Sequence, residues 1–166
     1  MNGLINDNDL SNKIFGVVPF IAPEIFHGSI STKKSDIYSF GMIMWMLSAG
    51  VRPYYDRPHN EKLIHEICSG LRPRVVEGTP PVFANLMFNC LDTVPLNRPT
   101  AFQVYETLDK WFVSINNEPN ESNIADQFDY AEEFKFMHFV PICEVYHEDA
   151  VYNSRFFEIS HYKQRK

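Results

Sequence analysis

The sequence is short of the features that mark several classes of protein. Its three cysteines, Cys68, Cys90 and Cys143, show no C-x-x-C spacing and indicate neither a disulfide framework nor a zinc site. No apolar run approaches the roughly 18 residues of a membrane span, and the polar N-terminus has no signal-peptide pattern. The net charge of -6 offers no basic field for nucleic acid or anionic lipid. We therefore expect a cytoplasmic protein without a nucleic-acid or membrane partner.

Apolar and aromatic residues are well represented, at 45% and 14% of the chain, as is typical of a folded domain. The stretch 37–49 is apolar all the way round a 3.6-residue repeat and includes Trp45. Ser35 or Asp36 is suited to cap its start, and Gly50 offers a left-handed stop. A helix without a polar face must be surrounded by protein, so we expect 37–49 to be the central post of a helical core.

Three amphipathic patterns follow, and we expect them to wrap the central helix. They open at Asn60, at Thr79 and at Thr100, the last with Gln103 as a capping box. Their predicted inward residues are Leu63, Ile64, Ile67 and Cys68 in the first, Phe83, Leu86, Met87, Cys90 and Leu91 in the second, and Val104, Leu108, Trp111 and Phe112 in the third. The fold class predicted is therefore mainly α.

Outside the helices the chain is irregular. Two prolines break the apolar stretch 16–25, which we expect to be extended and turn-like rather than helical. Residues 114–122 have a linker-like composition, and the remainder is polar with scattered aromatics. These features divide the chain into a loop or disordered segment at 1–15, a helical unit at 16–112, and a linker with a partly ordered tail at 113–166.

Three motifs stand in order along this helical unit. The first, from Gly16 to Glu24, reads GVVPFIAPE; the second, from Ser35 to Gly41, reads SDIYSFG; the third, from Asn97, reads NRPT. Together with the helices between them, they resemble the C-terminal lobe of protein kinases, whose activation segment ends in Ala-Pro-Glu. The resemblance is closest to the tyrosine-kinase-like branch. It implies a helical lobe around a buried central helix, without the sheet of the N-terminal lobe.

The resemblance gives individual residues expected roles. Glu24, after Pro23, is similar to the glutamate that forms a buried ion pair with a late arginine, here Arg98. Asp36 is similar to the aspartate that braces the catalytic loop, and Gly41 and Trp45 lie in the central helix. The substrate-facing loop of the family corresponds to Gly16, Val17, Val18, Pro19 and Phe20. The helix 60–69 resembles one that family members use for docking proteins.

The sequence departs from the family where phosphate is handled. Phosphoryl transfer uses a glycine-rich loop, a strand lysine, an aspartate base and metal-binding residues, all before Ala-Pro-Glu. This chain has no G-x-G-x-x-G spacing and no Arg-Asp dipeptide, and Ser39-Phe40-Gly41 imitates Asp-Phe-Gly with serine in place of the metal ligand. We therefore expect no catalytic, cofactor-binding or metal-binding residue here, and ATP and magnesium only in a full-length family member. Val17 stands where serine/threonine kinases usually carry threonine, so the hydroxyl preference stays open.

Plainer interpretations stand beside these. Glu24 and Arg98 are also explained as unrelated surface charges, and Asp36 as a helix N-cap. His65 and Cys68, at i and i+3, have the spacing of a metal pair but no further ligands nearby, which favours a structural role.

Three functions remain open: part of a protein kinase that is inactive alone, a non-catalytic pseudokinase-like module that binds a protein partner or substrate, and an unrelated helical adaptor. In the family, preceding helices cover part of the central helix. We therefore expect this chain to expose apolar surface there.

Overall fold

A buried helix organises the fold. The structure, a computed structural model, describes residues 13–116, 123–138 and 145–158. It has six α-helices within those ranges: α1 (Pro23–Phe26), α2 (Lys33–Ala49), α3 (Glu61–Cys68), α4 (Pro81–Cys90), α5 (Ala101–Asn116) and α6 (Asn123–Met137). Strands β1 (Lys13–Gly16) and β2 (Arg155–Glu158) form a two-stranded antiparallel sheet in which Gly16 pairs with Arg155. The predicted mainly α class is confirmed.

Helix α2 is the central helix, although it starts earlier than the sequence indicated. Thr32, rather than Ser35 or Asp36, is its N-cap: the Thr32 hydroxyl accepts from the Lys34 N–H at 3.2 Å, and Ser35 Oγ accepts from the Thr32 N–H at 3.1 Å. Ser35 thus serves as the third residue of a capping box whose first residue lies upstream. Gly50 ends the helix with φ 71°, the left-handed conformation expected of it.

The burial of α2 is uneven around its circumference. Tyr38 and Met42 are fully buried, whereas Ile43 is 41% exposed and Leu47 is 69% exposed. These two lie on one side of the helix, since they are four residues apart. The expectation that the central helix exposes apolar surface is therefore met on this side. The described residues cover α2 less completely than its all-round apolar pattern predicts.

Short helical turns occupy part of the segment that was expected to be extended and turn-like rather than helical. Residues Val18–Phe20 form a 3-10 turn, and α1 begins at Pro23 after two extended residues. Pro19 and Pro23 each stand in the first turn of their element, where a missing N–H costs nothing and the fixed φ favours the helix. Val17, Ile21 and Ala22 are extended, as predicted, but the exclusion of helix was wrong because prolines stop a helix only after its first turn.

The later helices follow their predicted faces with one correction. Leu63, Ile64 and Ile67 of α3 are buried, and so is most of the predicted face of α4. In α5, however, Val104 and Trp111 are buried while Leu108 is 37% and Phe112 67% exposed. Helix α5 rests on the core through a narrow strip, so the edge of its predicted apolar face points outward.

The described residues of α5 and α6 beyond position 112 pack on the helical unit. Helix α5 continues through Asn116, and α6 packs against α4 and α5, with Phe128 beside Trp111 at a ring separation of 5.7 Å. The Gln127 side chain of α6 also accepts a hydrogen bond from the Val82 N–H at 2.9 Å. Because Pro80 and Pro81 have no N–H, Val82 offers the first free donor of α4. A residue 45 positions away thus caps this helix.

Candidate functional site

An ion pair joins the motif that ends at Glu24 to the motif that contains Arg98. Arg98 Nη1 lies 2.7 Å from Glu24 Oε1, and Arg98 Nη2 lies 2.8 Å from Glu24 Oε2. The Arg98 side chain is 0% exposed and that of Glu24 15% exposed. Two parallel N–H···O bonds of this kind fix orientation as well as distance. The structure therefore brings together two residues 74 positions apart in the chain.

Arg98 also holds backbone from two further segments. Its Nη1 donates to the Lys34 carbonyl at 2.9 Å, and its Nε donates to the Asp92 carbonyl at 2.8 Å. Lys34 Nζ in turn donates to the Arg98 carbonyl. One guanidinium consequently ties α1, the first turn of α2 and the loop before α5 into one unit.

The carboxylate of Glu24 is held in its charged form. Burial opposes ionisation, but hydrogen bonds from Arg98 and Ser35, together with the Arg98 charge, lower the pKa of Glu24 below its ordinary value. The Ser35 hydroxyl donates to Glu24 Oε1 at 3.0 Å. Because the folded pKa lies below the unfolded one, the pair stabilises the fold above the unfolded pKa, and this contribution is lost as the pH falls through the folded pKa.

A second arginine, which the sequence did not reveal, supports the same cluster. The guanidinium carbons of Arg72 and Arg98 lie 5.0 and 5.2 Å from the centre of the Tyr38 ring. Arg72 also donates to the carbonyls of Leu91, Ile67 and Leu71. Tyr38 is fully buried, and burial raises its pKa to about 12. No sequence motif marks Arg72, since most of its hydrogen-bond partners are backbone carbonyls.

The segment from Gly16 to Phe20 lies directly before this clamp in the chain. Val18 and Pro19 are buried and act as its anchors, while Val17 and Phe20 are half-buried. The Ser39 hydroxyl of α2 donates to the Phe20 carbonyl at 2.7 Å. The loop is thus fixed at its C-terminal end, by α2 at Phe20 and by the clamp at Glu24 four residues later.

An open cleft of about 410 Å³ lies beside this loop. Phe20, Ile21 and Ile25 supply apolar walls, and Ser31, Ser35 and Asp36 supply polar ones. Asp36 is exposed, and among the described residues its carboxylate has no hydrogen bond. Asp36 is therefore not the cap of α2, and its backbone-bracing role stays a prediction.

Three other residues were expected to have structural roles, and each of them is buried. Pro23 is buried at the start of α1. Gly41 faces α4 so closely that a Cβ there would lie 2.8 Å from the Cβ of Cys90. Trp45 is 7% exposed, and its Nε1 donates to the Arg74 carbonyl at 2.7 Å. Gly41 thus allows α2 to approach α4 closely, and Trp45 joins α2 to the segment at Arg74.

Within 13–116, 123–138 and 145–158, no cluster of three histidine, cysteine or acidic side chains has the geometry to hold a metal ion. Ser39, of the sequence that imitates Asp-Phe-Gly, is hydrogen-bonded inside α2 to the Phe20 and Ser35 carbonyls. Likewise, none of the helices described is both long and apolar enough to cross a bilayer.

Comparison with known proteins decides the family. The profile of the protein tyrosine and serine/threonine kinase family matches residues 6–108, which is more than half of the 166-residue chain and includes the loop, the clamp and the cleft. The chain belongs to this kinase family. The mainly α fold around α2 is consistent with the C-terminal lobe of such a kinase.

Individual kinases match at moderate identity. The probable serine/threonine-protein kinase drkA of Dictyostelium discoideum is 33% identical over 94 residues, which are 57% of this chain and 15% of that protein. Mitogen-activated protein kinase kinase kinase 12 of Rattus norvegicus is 29% identical over 138 residues, or 83% of this chain and 15% of that protein. The dual specificity protein kinase zakA of Dictyostelium discoideum is 32% identical over 105 residues, or 61% of this chain and 13% of that protein. The chain therefore spans about a seventh of the length of these relatives.

Proposed function

We propose that this chain supplies the part of a protein kinase domain that faces the protein substrate, and that it does not transfer phosphate by itself. The observation that carries the proposal is the bidentate Glu24–Arg98 clamp, which fixes the end of the Gly16–Phe20 loop beside an open cleft. Kinship with protein kinases, whose substrates are proteins, adds weight. A preformed loop next to a cleft with mixed walls is suited to a peptide segment.

The proposed lack of activity rests on chemistry. Transfer of a phosphoryl group depends on positioning ATP and neutralising its charge with a glycine-rich loop, a lysine and metal ions. The printed sequence offers no G-x-G-x-x-G spacing and no Arg-Asp dipeptide for these tasks. In a longer protein that carries them, the same loop and cleft would present a protein hydroxyl to the γ-phosphate of ATP.

A peptide-binding experiment tests the cleft directly. The 166-residue chain is titrated with a degenerate peptide library, and binding is mapped by NMR onto backbone amides. We expect shifts at Val17, Phe20 and Asp36, and weaker binding in Phe20→Ala. The matched control is Phe136→Ala, because Phe136 is 86% exposed on α6 and does not line the cleft. Binding that maps elsewhere, or that Phe20→Ala leaves unchanged, would overturn the proposal.

A second candidate is a non-catalytic interaction module. It is favoured by the same lack of phosphate-handling residues, together with the cleft, which needs no ATP to hold a peptide. The reading frame around this sequence separates the two: one that encodes a glycine-rich loop, a strand lysine and Asp-Phe-Gly supports a kinase, and one without them supports the module. Calorimetry with ATP and magnesium on the chain itself should show no binding under either candidate.

A further inference from the structure

Residues 145–158 cross the surface of the helical unit and end on β1. Their backbone is fastened to the loop that joins α2 to α3: the His147 N–H donates to the Tyr55 carbonyl at 2.8 Å, and the His59 N–H donates to the Asp149 carbonyl at 3.0 Å. The Tyr152 hydroxyl donates to the Pro53 carbonyl at 2.9 Å. We name this segment the strap.

His59 is the central anchor of the strap. It is 1% exposed, with Nδ1 2.9 Å from the Val151 carbonyl and Nε2 3.2 Å from the Tyr54 carbonyl. Burial lowers the pKa of His59, although the hydrogen bonds to these two carbonyls act in the opposite direction. Both ring nitrogens therefore lie within hydrogen-bond distance of a carbonyl, one in the strap and one in the loop that joins α2 to α3.

The strap ends by adding a strand to β1. Phe15 pairs with Phe156, and their ring centres are 4.8 Å apart, yet these two side chains are 61% and 66% exposed. Phe157, by contrast, packs against the core. Arg155 donates to the His59 carbonyl and stacks on the Phe157 ring at 5.0 Å. Recognition at this edge thus comes from an arginine and from an aromatic residue two positions later.

Strand β2 is held more weakly than the helices that form the core. A sheet of two short strands is marginally stable by itself, and an exposed aromatic pair adds little burial. The edge of β1 that β2 occupies is also the kind of backbone template to which an extended peptide adds as a strand. Phe15 lines the cleft, so a segment on β1 lies at the mouth of the proposed substrate site.

We propose that the strap blocks peptide binding from within the chain by occupying the β1 edge. It detaches to admit an extended peptide that has the pattern arginine, any residue, aromatic residue in place of Arg155-Phe156-Phe157. That such a peptide would be a substrate or a partner of the kinase domain rests on the proposed function. The competition for β1 itself does not, because it follows from the strand pairing and from the contacts of Arg155 and Phe157.

A synthetic peptide with the strap sequence VYHEDAVYNSRFFE, labelled with a fluorophore, is the probe. It is titrated into the full chain and into the variant Arg155→Ala/Phe157→Ala, which loses both recognition contacts. The control Asn153→Ala/Ser154→Ala changes two exposed residues of the same segment. We expect the variant Arg155→Ala/Phe157→Ala to bind the probe about tenfold tighter than the native chain and the control do. Apparent affinity scales with the fraction of molecules in which the β1 edge is open. Equal affinity for all three proteins would overturn the proposal.

Hydrogen exchange of the native chain provides a test that needs no variant. The amides paired between β1 and β2 should exchange together, and faster than those in the middle of α2, because the strap opens without global unfolding. Exchange of the strand amides at the rate of the α2 amides would mean that the strap is part of the cooperative core, and would contradict the proposal. A cleft that binds no library peptide would refute the proposed function while leaving both strap measurements valid.

Discussion

Removing Arg98 is the perturbation that bears most strongly on the stability of the lobe. Arg98→Ala deletes two hydrogen bonds to Glu24 and one each to the Lys34 and Asp92 carbonyls, and it leaves a largely buried carboxylate without its counter-ion. Breaking a buried pair by removing one partner costs about 3–5 kcal/mol. We expect a loss of that size in the free energy of unfolding, a large share of the total for a domain of this size.

The assay is urea unfolding followed by circular dichroism and by tryptophan fluorescence. Glu24→Ala, Arg98→Ala and the double variant complete a thermodynamic cycle. Because the two side chains contact each other at 2.7 and 2.8 Å, the double variant should cost clearly less than the sum of the two single ones, with a coupling of about 2–3 kcal/mol.

Arg57 and Glu66 provide the matched control, because they form another arginine–glutamate pair whose side chains are 29% and 32% exposed. Glu66→Ala should cost about 0–1 kcal/mol, as exposed pairs do. Additive effects of Glu24→Ala and Arg98→Ala, or a cost no greater than that of the exposed pair, would refute the reasoning.

Four further perturbations follow from single features of the fold. Tyr38→Phe should leave the urea midpoint unchanged or raise it, because the Tyr38 hydroxyl is buried without a hydrogen bond among the described residues. A loss of unfolding free energy above about 1 kcal/mol, the net contribution of one hydrogen bond, would contradict this. Gly41→Ala should lower the free energy of unfolding by about 1–3 kcal/mol, since the added methyl overpacks the contact with α4; a neutral result would argue against that contact. Stability should fall in acid below pH 4.5, the ordinary pKa from which that of Glu24 is lowered, and Glu24→Gln should flatten this part of the profile. The chain should bind a hydrophobic dye through the exposed Ile43 and Leu47, and weak dye binding with a sharp melt would count against an exposed apolar side of α2.

The sequence predicted those parts of the fold that depend on local patterns. The stretch that is apolar all the way round predicted that α2 would be buried, and Gly50 predicted where it ends. The Thr100–Gln103 capping box is present, with each side chain accepting from the other residue's N–H. Such signals lie within a few residues of the feature they specify, so they can be read from the chain directly.

Features built from distant residues were harder to predict. The capping of α4 by Gln127, the contacts of Arg72 with carbonyls and the pairing of β1 with β2 join residues far apart in sequence, and no spacing rule announces them. The start of α2 was misplaced because Ser35 and Thr32 are both good capping residues, and the choice between them depends on reciprocal bonds formed only in the folded helix. The Glu24–Arg98 contact was expected only from the family resemblance.

The central claim is that the clamp fixes the Gly16–Phe20 loop, which we propose faces the substrate, beside the cleft. Amide exchange at Phe20 and Ile21, whose N–H groups donate to the Val17 and Val18 carbonyls at 3.0 and 3.2 Å, reports directly on the order of that loop. In Arg98→Lys, which keeps the charge but loses the bidentate geometry, we predict faster exchange at these two amides while those of α6 keep their native rates. Unchanged exchange at Phe20 and Ile21 would show that the loop is ordered without the clamp and would contradict the account.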